Sequence, residues 1–141
     1  MTIYQMNDGR FVLKGEGWSD RTMHVIKNAH RSASLVVTRG RVSNGRTFDE
    51  ELAAEYAMLA TKIAHFEQTE PVSTTLPHLP GCPVRETSAL YPHQDGVCHQ
   101  RQVAVLLSGN RIVIVTCVMQ RAFSLEDEIF WQCVKATLDL E

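Results

Sequence analysis

Gln100-Arg101-Gln102-Val103-Ala104-Val105-Leu106-Leu107, then Ser108-Gly109-Asn110, then Arg111-Ile112-Val113-Ile114-Val115-Thr116-Cys117-Val118, is the stretch that decides the fold. Two runs rich in β-branched residues flank a Gly-Asn pair that tolerates positive φ angles, so the stretch reads as a β-hairpin. The second run is apolar at nearly every position, and a strand of that kind must be covered on both faces. Alternation along the first run puts Arg101, Val103, Val105 and Leu107 on one face. Gln100, Gln102, Ala104 and Leu106 fall on the other. Two glutamines on an otherwise apolar strand suggest that this face meets something besides an oily core.

The rest of the chain supplies a sheet and two helices around this hairpin. Thr2 to Met6 and Arg10 to Leu13 read as strands about an Asn7-Asp8-Gly9 turn. Further strands are expected over Arg21 to Ile26 and Ser34 to Arg39, with a polar turn at Lys27 to Arg31. A helix begins after Thr47, with Glu50 three residues on completing a capping box and Asp49, Glu50 and Glu51 favouring the positive helix end. Leu52, Tyr56, Leu59, Ile63 and Phe66 form one helical stripe, and Ala53, Ala57, Ala60 and Ala64 run beside it. The alanines could let the helix approach the sheet closely, or leave one edge of this broad arc to a partner.

Prolines at 71, 77, 80, 83 and 92 forbid a long helix between Gln68 and Asp95, leaving short strands near Val72 to Leu76 and Val84 to Leu90. Ser124 caps a last helix from about Leu125 to Thr137, whose apolar face is Phe130, Trp131, Val134 and Leu138. The order of strands, helix, strands, helix defines an α+β fold within one domain, residues 1–141. Six or so strands about 4.8 Å apart make a sheet roughly 25 Å wide, while a helix covers roughly 10 Å. Two helices leave apolar strand surface uncovered, which soluble proteins rarely tolerate. A second copy of the chain or an apolar client would resolve the deficit.

Composition excludes several classes of function. With 44% hydrophobic and 21% charged residues, the 141-residue chain is neither disordered nor membrane-spanning. The N-terminus lacks a signal peptide's basic region and apolar core, so a cytoplasmic location is expected. Cys82, Cys98, Cys117 and Cys133 form no C-x-x-C pair, which argues for reduced thiols and against a zinc site. Eight basic residues between Arg10 and Arg46 face only Glu16 and Asp20 locally, but the net charge is −2 and no nucleic-acid motif appears. The six histidines show no H-x-x-x-H or H-E-x-x-H spacing, and adjacent Cys98 and His99 would point to opposite faces of a strand. Phosphate-binding glycine loops are absent. No catalytic residue, metal or cofactor is expected, and the protein is read as a non-enzyme.

The order Ile3-Tyr4, Gly17-Trp18-x-Asp20-x-Thr22, Leu35-Val36-Val37-Thr38-Arg39, Phe48 opening a helix, and His99-Gln100-Arg101-Gln102-Val103 resembles the DcrB-like, Eag-type chaperones of bacterial type VI secretion. The resemblance covers residues 1–66 and 96–138. It implies a PsbP-like fold, a curved antiparallel sheet with two main helices, assembled as a homodimer. It also implies a cytosolic chaperone that binds the N-terminal transmembrane helices of an effector before export, without inserting into a membrane itself. By the family's motifs, the client-facing residues would be Met23, Val25, Val36, Glu55, Leu59, Ile63 and Gln102. Chemistry is compatible: the apolar members would replace lipid around a client helix of about 20 residues, and Gln102 could donate to its carbonyls. The alternatives are that these residues are ordinary core with Gln102 satisfied by a neighbouring strand, or that the domain is an interaction module for a soluble folded partner.

Overall fold

The computed structural model describes residues 2–6, 9–15, 23–30 and 32–140. The Gly17-Trp18-x-Asp20-x-Thr22 motif, residues 7 and 8 of the first turn, and Arg21 and Arg31 lie outside these. The described strands are β1 (Thr2–Met6), β2 (Gly9–Leu13), β3 (His24–Asn28), β4 (Ala33–Arg41), β5 (Glu67–Gln68), β6 (Val72–Leu76), β7 (Leu79–His93), β8 (Gly96–Leu107) and β9 (Arg111–Met119). Helix α1 (Phe48–Lys62) joins β4 to β5, and α2 (Leu125–Thr137) follows β9. The class is α+β. Seven strands form one antiparallel sheet in the order β3-β4-β9-β8-β7-β5, with β6 also paired to β7, while β1 and β2 pair with each other.

The decisive hairpin is present as β8 and β9, and Gln102 lies opposite Thr116. The turn is a three-residue 3-10 segment, Ser108–Asn110, with φ of 69° at Gly109 and 58° at Asn110. Both residues thus take the left-handed conformation that side chains with a bulky Cβ avoid. β9 sits between β8 and β4 near the middle of the sheet, which is why its sequence is apolar on both faces.

One face carries the larger core. Val103, Val105, Val113, Val115, Cys117 and Met119 bury against Trp131 of α2, with Phe130, Val134 and Leu138 packed around them. Polar bonds fasten this helix. Trp131 Nε1 donates to Glu86 Oε2 at 3.1 Å, Lys135 Nζ lies 2.8 Å from the same oxygen, and Arg101 Nη2 lies 2.7 Å from Glu128 Oε1. At the helix start, Ser124 and Asp127 complete a capping box, and the buried Asp127 carboxylate also takes two bonds from Arg121. Asp therefore closes the box although its side chain is shorter than Glu.

The other face is covered less completely. α1 starts at Thr47, whose hydroxyl accepts from Glu50 N at 3.1 Å while Glu50 Oε1 accepts from Thr47 N at 3.1 Å. Phe48 and Leu52 bury against Ala104 and Ile112, with Tyr56, Leu106, Ile114 and Val42 around them. The helix stops at Lys62, before Phe66. Its alanines at 53, 57 and 60 are exposed rather than packed on the sheet, and Ala64, expected to extend their stripe, lies beyond the helix end and is exposed too.

The proline-rich region is a long strand. β7 runs from Leu79 to His93 through Pro80, Pro83 and Pro92. Pairing with β8 begins only at Val84, so Pro80 and Pro83 lie on an overhang where missing amide donors interrupt no β8 ladder. Pro92 stands next to the hairpin end at His93–Gly96.

Candidate functional site

Antiparallel register places directly opposed residues on one face, so a row can be followed across the sheet. Val25 opposes Val36, Val36 opposes Thr116, Thr116 opposes Gln102, and Gln102 opposes Thr87. Val25, Val36 and Gln102, distant in sequence, therefore stand in one line on the face that α1 covers. A second row beside it runs Lys27, Ser34, Val118, Gln100, Ala89, Gln68. The helix core over Ala104, Ile112 and Ile114 occupies the opposite side of the first row.

Cover along the first row is graded. Val25 on the edge strand is 52% exposed, Val36 and Thr116 are half-buried, and Gln102 is 7% exposed. From β3 to β9 the row spans two strand spacings, about 10 Å, which is close to the diameter of one helix with its side chains. Met23, just before β3, is exposed, as is Ile26, whose side chain points to the opposite face. Leu59 continues the stripe of Leu52 and Tyr56 on α1 and is half-buried, while Glu55 is exposed. Ile63, expected on the helix, is instead the extended residue just past its end and is also half-buried. The helical step of about 100° turns Glu55 away from Tyr56, towards the other flank of the helix.

Gln102 is at the inner margin of the open strip. Its Oε1 accepts from the Thr87 hydroxyl at 3.4 Å, close to the limit for a hydrogen bond. The neighbouring-strand partner weighed from the sequence thus exists, but it holds the amide loosely. Among the described residues, the Gln102 amide nitrogen has no protein acceptor. Thr116 and Thr87, which complete the row, escape sequence reasoning because only strand register places them beside Gln102.

Tyr56 and Gln68 are further members that sequence reasoning did not find. Burial raises the Tyr56 hydroxyl above its usual pKa, with nearby Thr87 partly opposing the shift. Even so, the Tyr56 hydroxyl and the Gln68 Nε2 group are buried and make no hydrogen bond of ordinary geometry. Both residues line a groove between α1 and the β5–β6 segment, with Ala53, Asp49 and Arg85. Arg85 is engaged there, Nε lying 2.8 Å from Asp49 Oδ1 and Nη2 3.2 Å from Oδ2.

No cluster of three or more metal-ligating side chains occurs among the described residues. None of the described helices is long and apolar enough to cross a membrane. The Cys117 thiol is buried and desolvation pushes it up to about 11, which suits a small core residue rather than a nucleophile.

These features define a small α+β domain with an antiparallel sheet, one face sealed by a helix and the other left partly open. The chain belongs to the DcrB family, whose model matches residues 8–137. In fold it is similar to the crystal structure of PA94, a protein of unknown function from Pseudomonas aeruginosa, with a TM-score of 0.75 at 16% identity over 99% of this chain and 96% of that one. No curated protein matches the sequence significantly.

Proposed function

We propose that the protein is a binding protein rather than an enzyme, a chaperone that shelters an apolar helix of a partner on the open strip of its sheet. The observation that carries this reading is the continuous row from Val25 through Val36 and Thr116 to Gln102, graded from exposed to buried on a single face. Val25, Val36, Leu59 and Ile63 supply apolar contact, and the exposed Met23 offers an adaptable thioether at the open end. Gln102 supplies an amide donor where small client residues bring a backbone close. Glu55 lies at the rim. The resemblance to Eag-type chaperones extends the proposal to a client, the N-terminal transmembrane helices of a type VI secretion effector, held in the cytoplasm before export. The exposed edge of β3 gives a second copy of the chain a place to pair, which supports the homodimer that the resemblance implies.

Co-expression with a partner bearing an N-terminal apolar helix tests the proposal. Val25→Glu together with Ile63→Glu puts carboxylates into the strip at positions that are not buried in the free protein. The variant is expected to stay folded by far-ultraviolet circular dichroism while the partner is lost from the soluble fraction. Full recovery of soluble partner would refute the strip as the binding surface. Recovery that tracks only a folded soluble domain of the partner would favour the interaction-module reading.

A further inference from the structure

The groove on the far flank of α1 has a chemistry of its own. A buried polar group left without a partner is costly, so native proteins keep few of them. Here the two such side-chain atoms found among the described residues, Tyr56 Oη and Gln68 Nε2, belong to residues that line one groove. The Gln68 nitrogen can only donate, and the Tyr56 hydroxyl can donate or accept. What both can share is an acceptor.

The charges nearby decide which acceptor. Arg85 is committed to Asp49 by two bonds, and Glu70 stands on the opposite wall. An incoming carboxylate or phosphate would meet two acids and a cation already neutralised. A neutral carbonyl would meet two unused donors. Ala53 leaves room on the helix side, and the exposed residues 69–71 line the other side.

We propose that this groove is a subsite for the backbone carbonyl of an uncharged, extended peptide, held by Tyr56 and Gln68. The subsite joins the open strip through Thr87, which lies near Tyr56 and bonds Gln102. A peptide segment flanking a helix bound on the strip is therefore its natural occupant. The inference rests on the chaperone reading for the source of that peptide, but not for the chemistry of the groove.

The test uses the full chain, labelled with nitrogen-15, and a capped peptide, acetyl-Ser-Gly-Ser-Gly-Ser-amide. The expected result is a saturable shift of the Gln68 side-chain NH2 signals. Tyr56→Phe and Gln68→Leu should each weaken binding about tenfold, as loss of one hydrogen bond implies. Tyr56→Phe removes a hydroxyl whose contact with Thr87 falls short of ordinary hydrogen-bond geometry, so the free variant should remain folded. A succinylated, anionic form of the peptide should bind more weakly. Absence of a saturable shift, indifference to both substitutions, or tighter binding of the anionic peptide would each overturn the proposal. A synthetic apolar helix titrated into the same variants separates the two ideas. Helix binding without short-peptide binding sinks the subsite alone, and the reverse result sinks the chaperone reading alone.

Discussion

Gln102 offers the sharpest test, because its two roles predict opposite energetics. In the free protein its side-chain amide makes one hydrogen bond among the described residues, accepted from Thr87 at 3.4 Å. A bond near the geometric limit contributes less than the usual 1 kcal/mol or so, and about 0.5 kcal/mol is a reasonable allowance. Leu is close to Gln in volume, so Gln102→Leu opens no large cavity and removes a polar group that is 7% exposed. Its main cost is the Thr87 hydroxyl, 3% exposed, left without its acceptor. That cost is about 1 kcal/mol, and adding Thr87→Val should recover most of it. Urea denaturation of the two single variants and the double variant gives the coupling energy by a double-mutant cycle. Binding is then measured by fluorescence anisotropy with a labelled apolar helix containing Gly and Ser. If the amide donates to the client, Gln102→Leu weakens binding about five- to tenfold, whereas Thr87→Val alone changes it little. A coupling energy above about 2 kcal/mol, or unchanged helix affinity in Gln102→Leu, would refute the assignment and return Gln102 to a structural role.

Two predictions concern the sealed side of the sheet. Asp127 is held below the usual carboxylate range, first by Arg121, then by hydrogen bonds at Ser124, against the opposing effect of burial. A depressed folded-state pKa means that its stabilisation is fully present above the unfolded value of about 3.9 and is lost as pH falls below it. Thermal melts should therefore show Asp127→Asn less stable by about 1–3 kcal/mol at pH 7, with the gap to the unmutated protein narrowing below about pH 4; an unchanged gap at low pH would contradict the linkage. Thiol labelling followed by mass spectrometry should modify the exposed Cys133 first and the buried Cys117, whose thiol sits at about 11, only on unfolding. Equal native labelling of the two would show that the core around Cys117 opens readily.

Local signals made much of the fold legible. Thr47 with Glu50, and Ser124 with Asp127, mark both helix starts because capping is chemistry within four residues. The β8–β9 hairpin is visible because its turn requires two residues that tolerate positive φ. β7 is only partly so: its middle, Val84 to Leu90, is expected as a short strand, but its full length from Leu79 to His93 is not, since three prolines argue against it until the overhang beyond β8 is known. The exposed alanines of α1 follow the same logic, because periodicity defines an arc but not which part of it meets the sheet. For the candidate site, alternation puts Gln102 on the second face, yet only register aligns it with Val25 and Val36. Tyr56 and Gln68 lie further from view. Each is unremarkable in its own segment, and their shared lack of a partner arises from long-range packing.

The uneven anchoring of α1 has a mechanical consequence. Its buried residues are Phe48, Glu51 and Leu52, all at the start, where Glu51 also accepts from Ser43 N at 2.6 Å and pairs with Arg46 at 3.0 Å. The helix is thus clamped at one end like a cantilever, and a small tilt at the clamp becomes a larger displacement at the tip. Leu59 and Ile63 sit towards that tip. On the proposed chaperone reading, such a tilt would widen or narrow the gap between them and the β3–β4 edge while the core under Phe48 and Leu52 stays intact, which would fit helices of different girth.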